Sequence, residues 1–321
     1  MSLPRVAPVL RYPALLVLVL LIPLLFGPTP VCAAAEAQIT EYRVVHTLVR
    51  DTAGRQRLAI RSFNRDGIPH LLLVDPATFA TFDLPAGQFS TEPSSAEKLL
   101  AATPFGRALQ SSTAAPYPLQ NDGATRAEAP LAGVCLTIDL CPSKRPFERE
   151  LFDTLTTGAA PVPVAVAVTG AWLLSHPEEL AYLKREAAAG KLAVTWVNHS
   201  LHHPYDPQVP LARTFLLTPG TDFDAEVLEV EKLLLARGLV PSTFFRFPGL
   251  VSDAATVKRL RELSLIPIGA DAWLAKGEHP KKGSFVLVHG NGNEPKGIKL
   301  ILPMLRRGDL TLMPLAAAFG G

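Results

Sequence analysis

The sequence predicts an α/β fold: parallel strands covered by helices, preceded by a small β-rich segment. Between residues 134 and 306, short runs rich in Val, Ile and Leu alternate with helical stretches, the pattern of strand–helix–strand units. Polar, chemically capable side chains stand where those apolar runs break off. Residues 40–84, by contrast, carry β-branched runs separated by turn tetrapeptides, as in a meander.

Taken in order, the chain opens with Arg5 and Arg11, an apolar run from Ala14 to Phe26 broken by Pro23, and small residues up to Ala35. A basic start, a short apolar core and a small-residue end read as a secretory signal over residues 1–35. The expected location is therefore secreted or periplasmic. The run is short for a membrane span, so no stable span is expected once the signal is cleaved. Cleavage near Ala35 would leave about 286 residues. It would also remove the only two charges ahead of that point, leaving a neutral chain.

Residues 36–110 read as a small β-rich domain. Tyr42 to Arg50, Arg57 to Phe63 and His70 to Val74 are its strands. Asp51-Thr52-Ala53-Gly54 and Asn64-Arg65-Asp66-Gly67 are its turns, and a short helix follows from Ser95 to Leu109. His46 and His70 fall on strands and read as ordinary packed or surface residues. Residues 111–130 are rich in Ser, Ala, Thr and Pro and read as a linker. Residues 131–321 form the alternating part. Its strands are Val134–Leu140, Val162–Val168, Leu192–Val197, Thr243–Arg246, Leu265–Ile268 and Phe285–His289. Its helices run over Glu148–Leu155, from a Ser175 capping box to Ala189, over Asp224–Arg237, from a Ser252 cap to Leu263, and over Ile298–Arg306. Six strands at this spacing suit a barrel better than a two-layer sheet, and no fixed-period repeat is visible.

Composition excludes several classes. Of 321 residues 48% are apolar and 19% charged, which rules out wholesale disorder. A net charge of +2 and 7% aromatics give no support to a nucleic-acid partner. Three cysteines are too few for a disulfide scaffold. Cys135 and Cys141, on one extended strand, would lie roughly 20 Å apart, out of disulfide reach unless the chain turns back after Leu140.

The candidate site collects at the C-terminal ends of the predicted strands, where folds of this kind place function. Asp139 ends the first strand, His199 follows the third, Arg246 ends the fourth, Asp271 follows the fifth and His289 ends the sixth. His199 and His203 are four apart, so on a helical turn they point the same way and can share a divalent ion; His202 points elsewhere. Asp139 would be costly to bury alone, and Arg246 is its natural partner. A carboxylate so held can serve as a general base. His289, followed by Gly290-Asn291-Gly292, could donate a proton to a leaving amine, with Asp271 fixing its tautomer.

These motifs resemble the NodB-type polysaccharide deacetylases of carbohydrate esterase family 4. Thr137-Ile138-Asp139 resembles that family's first motif, Thr-Phe-Asp-Asp, and His199-Ser200-Leu201-His202-His203 matches its His-(Ser/Thr)-x-x-His motif. Phe245-Arg246-Phe247-Pro248-Gly249 is similar to its arginine–proline motif, Asp271-Ala272-Trp273 to its Asp/Trp motif, and Leu287-Val288-His289 to its Leu-x-His motif. Val168-Thr169-Gly170-Ala171-Trp172 looks like its second-strand region. The order agrees from residue 131 to about 306.

The resemblance implies a distorted (β/α)7 barrel. It also implies a divalent metal, zinc or else cobalt or nickel, that activates water to remove N-acetyl groups from a polysaccharide of N-acetylhexosamines. It would make His199 and His203 metal ligands, Asp139 the base, Arg246 its partner, His289 the acid and Asp271 its supporter, with Trp273 and Pro248 at the substrate. One position departs: Leu140 stands where the family has a second, metal-binding aspartate. Cys141 could supply a thiolate only if the turn carries it inward; weaker metal binding and Asp139 drawn into ligation are both open. Two alternative functions accompany the lead: a catalytically degenerate carbohydrate-binding protein on the same fold, which Leu140 favours, and a small cyclic-amide hydrolase.

Overall fold

Among the described residues, five antiparallel strands come first. β1 (Ile39–Asp51) pairs with β2 (Gln56–Arg65), β2 with β3 (Ile68–Val74) and β3 with β4 (Thr81–Pro85), while β5 (Phe89–Thr91) lies on the other side of β1. The β2–β3 turn needs two left-handed residues in succession, and Asp66 and Gly67 supply them at φ 50° and 81°. The computed structural model describes Met1, residues 36–91 and residues 101–321. The expected signal over 1–35 therefore lies outside the described residues, as does the start of the helix expected from Ser95. The described helix, α1 (Pro104–Ser112), is capped by Thr103, whose Oγ1 accepts from Gly106 N at 3.1 Å.

The alternating part follows as β6 (Cys135–Leu140), α2 (Arg149–Leu155), β7 (Val162–Val168), α3 (Gly170–Ser175), α4 (Pro177–Ala188), β8 (Leu192–Asn198), α5 (Phe223–Ala236), β9 (Phe244–Phe245), α6 (Ala254–Glu262), β10 (Ile266–Pro267), β11 (Ala272–Trp273), β12 (Phe285–His289) and α7 (Pro295–Arg307). Seven strands, one more than expected, form a parallel sheet ordered β10-β9-β8-β7-β6-β12-β11. The added strand is β11, too short to stand out as an apolar run. The sheet is curled. Flat, β6 and β9 would sit roughly 14 Å apart, three strand spacings. Yet Arg246, just after β9, donates from Nη2 to Thr137 Oγ1 on β6 at 2.8 Å.

Two caps differ from expectation. Ser175 ends α3, donating to Ala171 O at 2.7 Å, and α4 begins at Pro177 without a side-chain cap. Asp253, not Ser252, caps α6 in a capping box with Thr256, while Ser252 is buried. Residues 36–321 form one compact unit, and the segment expected as a linker is part of it. Ala124 bridges to Ile268 and Arg126 to Ser284, and Thr125 O accepts from both Asp271 N and Phe285 N. The segment thus lies along the sheet beside β10, β11 and β12, where its backbone groups find partners.

Alternation along the strands sorts the core. Leu136, Ile138 and Leu140 face outward with Val166 and Val168 into the layer of helices. Cys135, Ala165, Ala167, Phe244 and Phe285 face inward and share one apolar cluster with Leu58, Ile60 and Leu72 of the N-terminal sheet. Phe79 stacks on Phe244 with ring centroids 6.0 Å apart. A buried ion pair ties the same sheet to α5: Arg61 on β2 donates to both Glu231 carboxylate oxygens, at 2.7 and 2.9 Å. Among the described residues no helix is long and apolar enough to cross a membrane.

Candidate metal and catalytic site

Register brings the strand ends level. Asp139 pairs with His289 across β6 and β12, Leu140 with Val168, Val168 with Asn198, and Asn198 with Phe245. The residues at those ends therefore meet around one cleft of ≈ 620 Å³, lined by Asp139, Cys141, His199, His203 and His289 among others.

His199 is buried, and its Nδ1 lies 2.8 Å from Arg246 O. A carbonyl accepts only, so Nδ1 carries the hydrogen and Nε2 offers its lone pair to the cleft. Burial lowers the imidazole pKa, in part against Asp139, and this favours the neutral, ligating form. His203 arrives differently from expectation. Residues 199–203 form no helical turn; the loop reverses through left-handed Ser200 (φ 70°) and His203 (φ 53°). The rings of His199 and His203 meet edge-on, their centroids 4.9 Å apart.

The loop is held from three sides. Gly170 N and Ala171 N at the start of α3 donate to Ser200 O and Leu201 O. Asn198 Oδ1 accepts from Ser200 N at 3.1 Å, and Asn198 Nδ2 donates to Val227 O of α5 at 2.8 Å. His202 turns away to Glu226 of α5, at 2.6 Å. Gly170 lets the loop come close: a Cβ there would lie 2.4 Å from Leu201 Cδ1 and 3.2 Å from Leu201 Cα and O, so the Leu201 side chain would have to shift.

Asp139 lies between two partners, with Oδ1 3.9 Å from Arg246 Nη1 and Oδ2 3.6 Å from His199 Nε2. Oδ1 is buried without a hydrogen-bond donor, and Nε and Nη1 of Arg246 are buried without an acceptor. Arg246 is wholly buried, and burial lowers its pKa against the charges of Asp139 and Cys141. Leu140 points into the outer core, fully buried. Cys141 points inward, its Sγ 3.4 Å from His199 Nε2. Burial raises its thiol, but His203 and His289 outweigh burial and bring the pKa down to about 7. Cys141, His199 and His203 each offer one donor atom, all within 4.8 Å of one another. This set has the chemistry of a transition-metal site, and the tautomer of His199 fits a cation there. Cys135 and Cys141 are both free, as their separation requires.

Asp271 does not support His289. The β11–β12 register sets Ala272 opposite Val286, so Asp271 accepts from Phe285 N, at the opposite end of β12 from His289. Four strand steps, about 13 Å, separate those ends. Glu294 takes the place instead: its Oε2 lies 2.9 Å from His289 Nδ1 and accepts from Trp273 Nε1 at 2.7 Å. Burial alone would lower His289, yet Cys141, Glu294 and Asp139 lift it well above the ordinary histidine value. Trp273 lines the cleft. Pro248 does not: it is buried in the turn Pro248–Leu250, and the next residues, Gly249 and Leu250, reach the cleft.

Three contributors escaped the sequence reading. Glu294 lies five residues past a strand end, with no local signal. Gln120 comes from the segment taken as a linker, donating to Gly249 O at the cleft rim. Asn291 donates to Cys141 O at 2.7 Å. The cysteine itself had a signal: it follows Asp139 by two, the strand period that puts both on one face.

No family model matches the chain. Among solved structures it is similar to a family 4 carbohydrate esterase from Bacillus anthracis, at 19% identity over 60% of this chain and 85% of that one, with a TM-score of 0.46. It is also similar to PdaA of Bacillus subtilis, a family 4 carbohydrate esterase, at 16% identity over 71% of this chain and 90% of that one (TM-score 0.47). A third is BA3943 of Bacillus anthracis, a CE4 family pseudoenzyme, at 15% identity over 61% of this chain and 68% of that one (TM-score 0.43).

Proposed function

We propose that this chain is a metal-dependent hydrolase that removes N-acetyl groups from a polysaccharide of N-acetylhexosamines. The observation carrying this reading is the meeting of Asp139, His199, His203 and His289 around one cleft with Arg246 beside Asp139, where His199 Nδ1 lies 2.8 Å from Arg246 O and His289 Nδ1 lies 2.9 Å from Glu294 Oε2. His199 and His203 would hold a divalent metal, zinc by preference, together with a third donor of the same cluster. When bound, the metal supplies a Lewis acid that lowers the pKa of a water and polarises a carbonyl.

The remaining chemistry falls to the chain. Asp139, flanked by the Arg246 guanidinium, takes the proton of the attacking water. Glu294 Oε2 sits 2.9 Å from His289 Nδ1 as its ion-pair partner, which leaves the other ring nitrogen to protonate the departing amine. Water adds to the acetyl carbon, the C–N bond breaks, and acetate and a free amino sugar leave. Trp273, Leu250 and Leu287 give the cleft an apolar wall suited to a methyl group. Export to a secreted or periplasmic location belongs to the same reading, since such polymers lie outside the cytoplasm.

Purified protein should release acetate from N-acetylglucosamine oligomers, and His199→Ala should abolish it. Unchanged release by that variant refutes the reading. The second reading, a catalytically silent carbohydrate-binding protein, draws on Leu140, whose buried side chain replaces a carboxylate. It is distinguished by oligomer binding without acetate release at any metal loading.

A further inference from the structure

We propose that the Cys141 thiolate is the third protein ligand of the metal, giving a one-sulfur, two-nitrogen set. The assignment deepens the hydrolase reading and rests on it for its catalytic consequence only.

The backbone aims the sulfur. Asp139 and Cys141 are two residues apart at the end of β6 and share its inward face, while Leu140 takes the outward one. The strand is then pinned on both sides of the turn. Leu140 O accepts from Thr169 N and Thr169 Oγ1, and Cys141 O accepts from Asn291 Nδ2. These bonds leave the Cys141 side chain at the base of the cleft, 4% exposed.

The separations suit a shared ion. Metal–sulfur and metal–nitrogen bonds of about 2.3 and 2.0–2.1 Å at a tetrahedral angle place the two donor atoms roughly 3.5 Å apart. Cys141 Sγ and His199 Nε2 are 3.4 Å apart, and the His203 donor lies within 4.8 Å of both. Three protein donors with an open fourth position is the usual form of a catalytic zinc site.

Cys135 provides the contrast. It lies on the same face of the same strand, but its sulfur meets Pro314 O at 3.7 Å and no histidine. The burial that Cys135 feels without offset pushes its thiol to about 12.

The exchange of carboxylate for thiolate has two consequences. Charge is conserved, since one anionic ligand replaces another. Preference is not: a thiolate favours zinc, cobalt or nickel over magnesium, calcium or manganese. With the third ligand supplied by Cys141, Asp139 stays free to act as base.

Cobalt(II) reports the ligand directly. Cobalt-loaded wild type should show an intense near-ultraviolet sulfur-to-cobalt charge-transfer band, retained in Cys135→Ala and Asp139→Asn. Cys141→Ala should lose the band and bind metal more weakly by at least the 10–100-fold that even an outer-shell loss costs, about one to two orders of magnitude. Cys141→Asp should recover binding without the band, and circular dichroism checks that each variant is folded. A band that persists in Cys141→Ala, or equal metal affinity of that variant and wild type, overturns the assignment. So does a chelated wild type that still releases acetate and loses that activity to iodoacetamide, since the sulfur would then be a nucleophile. A wild type with the band but no acetate release upholds the ligand and rejects the hydrolase.

Discussion

Removing the Glu231 carboxylate tests how the N-terminal sheet supports the site. Arg61 on β2 and Glu231 on α5 are both fully buried and paired through two hydrogen bonds. Arg61 Nη1 also donates to Ile60 O and Leu263 O, and Tyr42 OH donates to Glu231 at 2.8 Å. Burial and the neighbouring Glu231 carboxylate raise the Tyr42 pKa well above its usual value, so its hydroxyl keeps its proton as donor. In Glu231→Ala the guanidinium keeps its two carbonyl partners but loses its counter-charge, and Tyr42 loses its acceptor. Breaking a buried pair from one side costs about 3–5 kcal/mol. With a urea slope near the upper end of the usual range, about 3 kcal/mol per molar, the midpoint should fall by about 1–2 M.

The loss should reach the loop of residues 199–203 as well. α5 also carries Val227 and Glu226, which anchor Asn198 and His202. Chemical unfolding followed by circular dichroism measures the first effect, and metal affinity measures the second. The double variant Arg61→Met, Glu231→Leu removes both charges, and it should be clearly less unstable than the two single changes added together. A Glu231→Ala midpoint within about 0.3 M of wild type, less than 1 kcal/mol on that slope, would refute the reasoning.

Two further outcomes are expected. Glu294→Gln should lower kcat for acetate release at least about tenfold, as part of the 10²–10⁴ a positioned general acid supplies. Asp271→Asn should stay within about twofold, since it lies far from the reacting atoms; steady-state kinetics showing the reverse order would restore Asp271 as the supporter of His289. Hydrogen bonds from Arg259 hold the Asp224 carboxyl below its usual range despite partial burial. A depressed folded value means stability that is present above the unfolded pKa of about 3.9 and lost as pH falls through the folded value. Both groups are about 40% exposed, so screening keeps the contribution under about 1 kcal/mol. Urea midpoints of wild type and Asp224→Asn should therefore differ at pH 6 and converge as pH falls through the depressed folded value; a gap that stays constant argues against the pair.

Local information in the chain was enough for much of this protein. The apolar runs named six of the seven parallel strands, because a strand covered on both faces must be apolar throughout. The break-off points of those runs marked Asp139, His199, Arg246 and His289, because parallel strands align their C-terminal ends whatever helices join them. Folding decided the pairings. Asp271 and Glu294 are both carboxylates near a histidine strand in sequence, and only the β11–β12 register sends one to the far end of β12 and the other to His289. The segment 111–130 has a linker's composition, yet its backbone bonds to residues more than a hundred positions away. Whether the sulfur of Cys141 faces the cleft or the outer core turns on the hydrogen bonds that Leu140 and Cys141 accept from Thr169 and Asn291. Those bonds exist only once β6, β7 and β12 lie side by side, since local periodicity encodes which face a residue occupies but not what stands across from it.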